Sequence, residues 1–86
     1  MPVLSAFFGI VVRMYYREHA PAHFHAEYAG RHAAFGLDGD VIRGGLGSSR
    51  AERLVRLWAL RHREELEANW LRALEGQPLR PIPPLE

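Results

Sequence analysis

The chain reads as an α+β domain: a small, mostly antiparallel β-sheet of about four strands over residues 7–45, a long C-terminal helix over about residues 50–75, and a Pro-rich tail. Three observations carry this. Between residues 7 and 44, short runs of β-branched and aromatic residues alternate with glycine-containing turns. From Ala51 onward, Leu54, Val55, Trp58, His62, Leu66, Trp70 and Leu74 recur at three- and four-residue steps, the period of one helix face. Four of the six prolines fall after Gln77. Eighty-six residues fit one domain, 1–86, with a thin core.

The first strand is expected over Phe7 to Tyr16. Its alternation puts Ile10, Val12, Met14 and Tyr16 on one side and Val11, Arg13 and Tyr15 on the other. Gly9 marks a bend or bulge near its start. Arg17 to Ala22 is a loop, since Pro21 keeps Ala20 out of helical geometry. A second strand spans about His23 to Tyr28, and Ala29-Gly30 is its two-residue turn. A third runs from about Arg31 to Leu37. Asp38-Gly39 is a type I′ hairpin signal, and a short fourth strand covers about Asp40 to Gly44.

The helix begins with Ser49-Arg50-Ala51-Glu52, which has the pattern of a capping box. Gly76 is placed to cap its end, and Pro78 prevents continuation. Its charges oppose its dipole: Arg50, Arg53 and Arg56 come early, and Glu64, Glu65, Glu67 and Glu75 late. Either a kink near His62 divides it in two, or the arginines serve a function. The tail is expected to be extended, packing Leu79, Ile82 and Leu85 onto the body.

Composition narrows the functional classes. There is no cysteine, so neither a disulfide framework nor a thiolate zinc site is available. No apolar run approaches the ~20 residues that cross a bilayer. The N-terminal residues lack the basic and apolar regions of a signal peptide. A cytoplasmic location is therefore expected. The net charge of +1 gives no broad reason to bind nucleic acid. All eleven basic residues are arginine, whose planar fork suits phosphate and carboxylate, although a GC-rich coding bias accounts for this as well.

The densest chemistry lies in His19-Ala20-Pro21-Ala22-His23-Phe24-His25-Ala26-Glu27-Tyr28, which holds three of the five histidines. On a strand, His23, His25 and Glu27 share one face, and Phe24, Ala26 and Tyr28 the other. A turn at Ala29-Gly30 sets Glu27 opposite His32, His25 opposite Ala34 and His23 opposite Gly36. His32 then joins the cluster, while Ala34 and Gly36 leave room above it. Arg13 and Tyr15 border the same surface if the first strand pairs alongside. The other face is core and receives the helix stripe. A one-residue slip would undo this arrangement.

Four readings fit these residues. His23, His25, Glu27 and His32 could ligate a divalent transition metal such as Zn, Ni, Cu or Fe. The same groups, with Arg13 or Arg31 stabilising charge and Tyr15 orienting substrate, could form a metal-independent ribonuclease-like site. The polar face or the tail could bind a small protein partner or a second copy of the chain. Or the histidines are solvated or hydrogen-bonding residues without special chemistry. His62, inside the apolar stripe, reads as a core histidine or kink marker, and His19 as a loop residue.

The run Gly9-Ile10-Val11-Val12-Arg13-Met14-Tyr15-Tyr16, the segment Pro21-Ala22-His23-Phe24-His25-Ala26-Glu27-Tyr28, the helical Leu54-Val55-Arg56-Leu57-Trp58 and Glu65-Leu66-Glu67-Ala68-Asn69-Trp70, and the Pro-Leu tail together resemble the bacterial family called domain of unknown function 4160. The resemblance covers almost the whole chain. It implies a small stand-alone protein, often encoded beside a member of the domain of unknown function 2442 family. It therefore implies a partner from the adjacent gene in a toxin–antitoxin-like two-gene module. It supplies no established activity. Two positions depart from the pattern: Ala22, where a second proline is common, and Gly36, where a larger polar residue is common.

Overall fold

A computed structural model describes residues 2–86. Its α+β architecture is a five-stranded antiparallel meander followed by two helices: β1 (Val3–Phe7), β2 (Ile10–Arg13), β3 (His23–Tyr28), β4 (Arg31–Gly36), β5 (Val41–Gly45), α1 (Ser49–Arg61) and α2 (Arg63–Leu74). Spatial order follows chain order, so every strand pairs with its sequence neighbour.

The expected first strand is two strands. Phe8 and Gly9, at φ 49° and 79°, form a tight turn, and Phe7 pairs with Ile10 across it. Positive φ at two successive residues is what a two-residue hairpin turn requires, and it matches the twist of the flanking strands. Gly9 is thus a turn residue rather than a bulge, and the sheet gains a strand from residues 3–7. Ile10, Val12 and Met14 are fully buried as the alternation requires, but Tyr16 is 41% exposed because β2 ends at Arg13.

The second hairpin turns at Ala29 and Gly30 as expected, with φ 49° and 77°. The third turn differs from expectation. Only Gly39 has positive φ, and Gly36 N–H donates to Asp40 O at 2.9 Å. Leu37, Asp38 and Gly39 therefore make a three-residue connection with glycine in the left-handed position, not a type I′ turn. Strand β4 stops at Gly36 instead of Leu37, and β5 starts one residue late.

The helix is broken at His62 (φ −117°, ψ 31°), whose N–H is shared between Trp58 O and Ala59 O. The break relieves part of the charge conflict, while Arg50, Arg53 and Arg56 remain in the N-terminal half of α1 and Glu75 at the C-cap of α2. Arg61 now ends α1, while Glu64 and Glu65 open α2, each at the end its dipole favours. The cap is Ser48, not Ser49: Ser48 Oγ accepts from Ala51 N–H at 3.1 Å. Glu52, one position too late for a capping box, instead accepts from Leu46 N–H at 2.9 Å. At the far end Gly76 (φ 71°) closes a Schellman motif: Gln77 N–H donates to Arg72 O at 2.9 Å and Gly76 N–H to Ala73 O at 3.3 Å.

Phe24 and Phe35 stack at 5.5 Å on the core face, and Trp58 of α1 meets Phe24 edge-on at 5.6 Å. After the break the buried positions of α2 are Leu66, Asn69 and Ala73. The apolar stripe therefore does not continue straight: Leu74 is 45% exposed and Trp70 turns toward the start of β3. The tail packs as expected, burying Ile82 and Leu85. Ile82 N–H donates to Leu4 O at 2.8 Å, which closes the outer side of β1. Trp58 Nε1–H donates to Pro83 O, and the Asn69 side chain donates Nδ2–H to Arg80 O and accepts from Arg80 N–H at Oδ1. Among the described residues, no helix is long and apolar enough to cross a membrane.

Candidate metal centre

The β3–β4 register follows the sequence expectation: His23 pairs with Gly36, His25 with Ala34 and Glu27 with His32. Arg13 pairs with His25, so it shares their face. The face itself is not open. His23 is 4% and His25 7% exposed. The 14–22 loop folds over them, placing the Tyr15 ring 4.4 Å from that of His25, and Trp70 of α2 lies 5.4 Å from the His23 ring. Arg17 N–H donates to Ala73 O, which ties this loop to the end of α2.

The loop brings Glu18 into the cluster. Its Oε1 lies 2.7 Å from His25 Nε2 and 3.2 Å from His23 Nε2. Glu18, His23 and His25 each offer one ligand atom, and these atoms all lie within 4.8 Å of one another. The carboxylate of the cluster is therefore Glu18, not the expected Glu27. Glu27 sits diagonally across from Arg13 and pairs with its Nε at 2.7 Å. Nor is His32 among the converging atoms. It stacks on His25 at 5.3 Å, its Nε2 3.2 Å from His25 Nδ1. His19 is exposed on the loop, and His62 bonds Glu65 at the helix break.

Proton positions follow from the partners. His23 Nδ1 lies 2.7 Å from Pro21 O. A carbonyl only accepts, so Nδ1 carries a proton, and Nε2 is the ring position left for a second proton or a metal ion. That Nε2 is buried and has no hydrogen-bond partner. The Glu18 oxygen 3.2 Å away only accepts, so the contact is satisfied when a proton or a metal ion occupies Nε2. His25 Nε2–H donates to the same Glu18 oxygen, leaving Nδ1 to accept from His32 Nε2–H. Burial pushes the His25 pKa below its ordinary value, against the opposing pull of the Glu18 hydrogen bond and charge. The ring is thus neutral near pH 7.

A groove of about 690 Å³ adjoins His23, lined in part by Pro21, Ala22, Gly36, Ile42 and Trp70. The room expected above Gly36 therefore exists, but beside the histidine pair rather than over it.

Two buried imidazoles and a partly exposed carboxylate, converging where the 14–22 loop covers β3, describe a domain with a candidate three-ligand centre. The chain belongs to the family described as domain of unknown function (DUF4160), whose model matches residues 9–71. That span includes the whole cluster. No curated protein and no solved structure matches the chain.

Proposed function

We propose that the chain binds one divalent transition-metal ion through Glu18 Oε1, His23 Nε2 and His25 Nε2. The observation that carries this reading is the buried, unpartnered Nε2 of His23. Its ring is fixed by an Nδ1–H bond to a backbone carbonyl, the usual support of a metal-bound histidine. His23 Nε2 is buried and the Glu18 side chain is 28% exposed; when the ring is neutral both atoms are acceptors, and a metal ion between them satisfies both. Metal–N and metal–O bonds of about 2.0–2.2 Å would put tetrahedral ligands about 3.3–3.6 Å apart; Glu18 Oε1 is 3.2 Å from His23 Nε2 and 2.7 Å from His25 Nε2, so the Glu18–His25 hydrogen bond would have to open to admit the ion. Ligation through His25 Nε2 moves that ring's proton to Nδ1, where His32 Nε2 can accept it. Two nitrogens, one oxygen and no thiolate suit Zn(II), Fe(II), Ni(II) or Cu(II). Three protein ligands leave a coordination position for water or a small ligand, as in catalytic rather than structural zinc sites.

Elemental analysis and Zn(II) titration of the purified chain test this. One ion per chain is expected. Glu18→Gln and His23→Ala should each weaken binding by more than about tenfold, whereas Glu27→Gln should not. Binding that survives in both Glu18→Gln and His23→Ala, or no binding to the folded wild type, would overturn the proposal.

A further inference from the structure

The sheet has two edges, and only one is covered. The tail closes β1 through the Ile82 N–H bond to Leu4 O. Strand β5 pairs with β4 alone, and four of its five residues are exposed. Its side chains include Val41 and Ile42, 38% and 47% exposed. At its C-terminal end Gly44 (φ 74°) lies so close to β4 that a Cβ would meet His32 O, and a bulge shifts the β4–β5 register between Ala34 and Phe35, so the extended stretch open to a partner is Val41 to Arg43.

Unpaired arginines flank this edge. Arg43 is on β5 itself. The Arg31 side chain reaches Gly47, just beyond the end of β5. Arg53 lines a shallow groove with Val41 at the other end, and Arg50 stands beside it in the first turn of α1. Among the described residues, none of the four makes a salt bridge, whereas Arg13, Arg56 and Arg63 all do. Of the carboxylates beside this edge, Asp40 pairs with Arg56, while Glu52 accepts from Leu46 N–H and Asp38 from Asp40 N–H.

We infer that β5 is a docking edge for an extended, acidic segment of a partner protein, which adds to the sheet as a sixth strand. An exposed strand edge presents backbone N–H and C=O groups that only another extended backbone satisfies in series. The arginines select its charge. They also oppose a second copy, because pairing two β5 edges would bring both sets of arginines together. The edge carries aliphatic side chains and no aromatic platform, which favours a peptide over single-stranded nucleic acid.

The test uses the full chain, a labelled peptide of alternating glutamate and valine, its lysine counterpart, and an oligouridine. Fluorescence anisotropy should show the glutamate peptide binding at least about tenfold more tightly than the lysine peptide, with affinity falling as salt rises. Amide hydrogen exchange should slow at residues 41–43 and not at 3–7. Arg43→Glu should lose at least about tenfold in affinity with an unchanged circular dichroism spectrum, and Arg53→Glu should weaken binding in the same direction. Equal binding of the two peptides would overturn the proposal. So would protection elsewhere, tighter oligouridine binding at the same strand, or a dimer whose β5 is already protected without peptide.

Discussion

Oε1 of Glu18 lies 3.2 Å from Nε2 of His23, a buried nitrogen whose ring proton is already committed to Pro21 O. Satisfying both atoms takes a cation at Nε2, whether a proton or a metal ion. The loop from Met14 to Ala22 holds them together, through Arg17 N–H on Ala73 O and Tyr15 against His25. The proposed metal ion would take that place at Nε2.

Metal should therefore stabilise the fold. A ligand that binds only the native state contributes about 2.7 kcal/mol at a concentration a hundred times its dissociation constant. Differential scanning calorimetry with excess Zn(II) should raise the melting temperature of the wild type. Glu18→Gln and His23→Ala should show no comparable rise, and a chelator should return the wild type to its metal-free value.

The metal-free chain should lose stability in mild acid through His25. Its folded pKa lies below the unfolded value of about 6.5. The unfolded state therefore binds more protons between the two values, so stability rises with pH through that window and levels off above about 6.5. Urea unfolding from pH 5 to 8 in the presence of chelator should show this slope, and His25→Gln should reduce it.

Asn69 should be a large contributor to stability despite being polar. It is 1% exposed, accepts from Arg80 N–H and donates to Arg80 O. Asn69→Ala leaves backbone groups of the tail without partners, at a cost of about 1–3 kcal/mol. A lower midpoint in urea, with faster exchange at Arg80 and Ile82, is the expected result.

The two adjacent serines should differ sharply. Ser48→Ala removes the Ala51 N–H cap and should cost about 1 kcal/mol. Ser49→Ala, at an exposed helical position, should stay within about 0.5 kcal/mol of wild type. Chemical denaturation of the two variants separates these outcomes.

The β3–β4 register is legible in the sequence because Ala29-Gly30 leaves one hairpin register that buries Phe24, Ala26, Ala33 and Phe35 together. The break at His62 is legible as a charge conflict that two helices relieve for Arg61, Glu64 and Glu65. The β1–β2 turn is harder to read, because the apolar run continues through Phe8-Gly9 without a polar turn residue. Glu18 is hidden for a different reason. Strand alternation ranks Glu27 with the histidines, but nothing local shows that a loop preceding Pro21 folds back over the sheet, or that Arg13 claims Glu27. The burial of the cluster depends on Trp70, whose direction is set by the helix break and not by the stripe it appears to continue.

The most direct measurement of the central claim is long-range ¹H–¹⁵N nuclear magnetic resonance of the histidine rings during Zn(II) titration. The expected result is that Nε2 of His23 and His25 moves to the metal-bound range, with Nδ1 protonated in both. The His25 proton should switch from Nε2 to Nδ1, and His19 and His62 should stay unchanged. Ring nitrogens of His23 and His25 that do not respond to the metal, or a response centred on His19 or His62, would contradict the account.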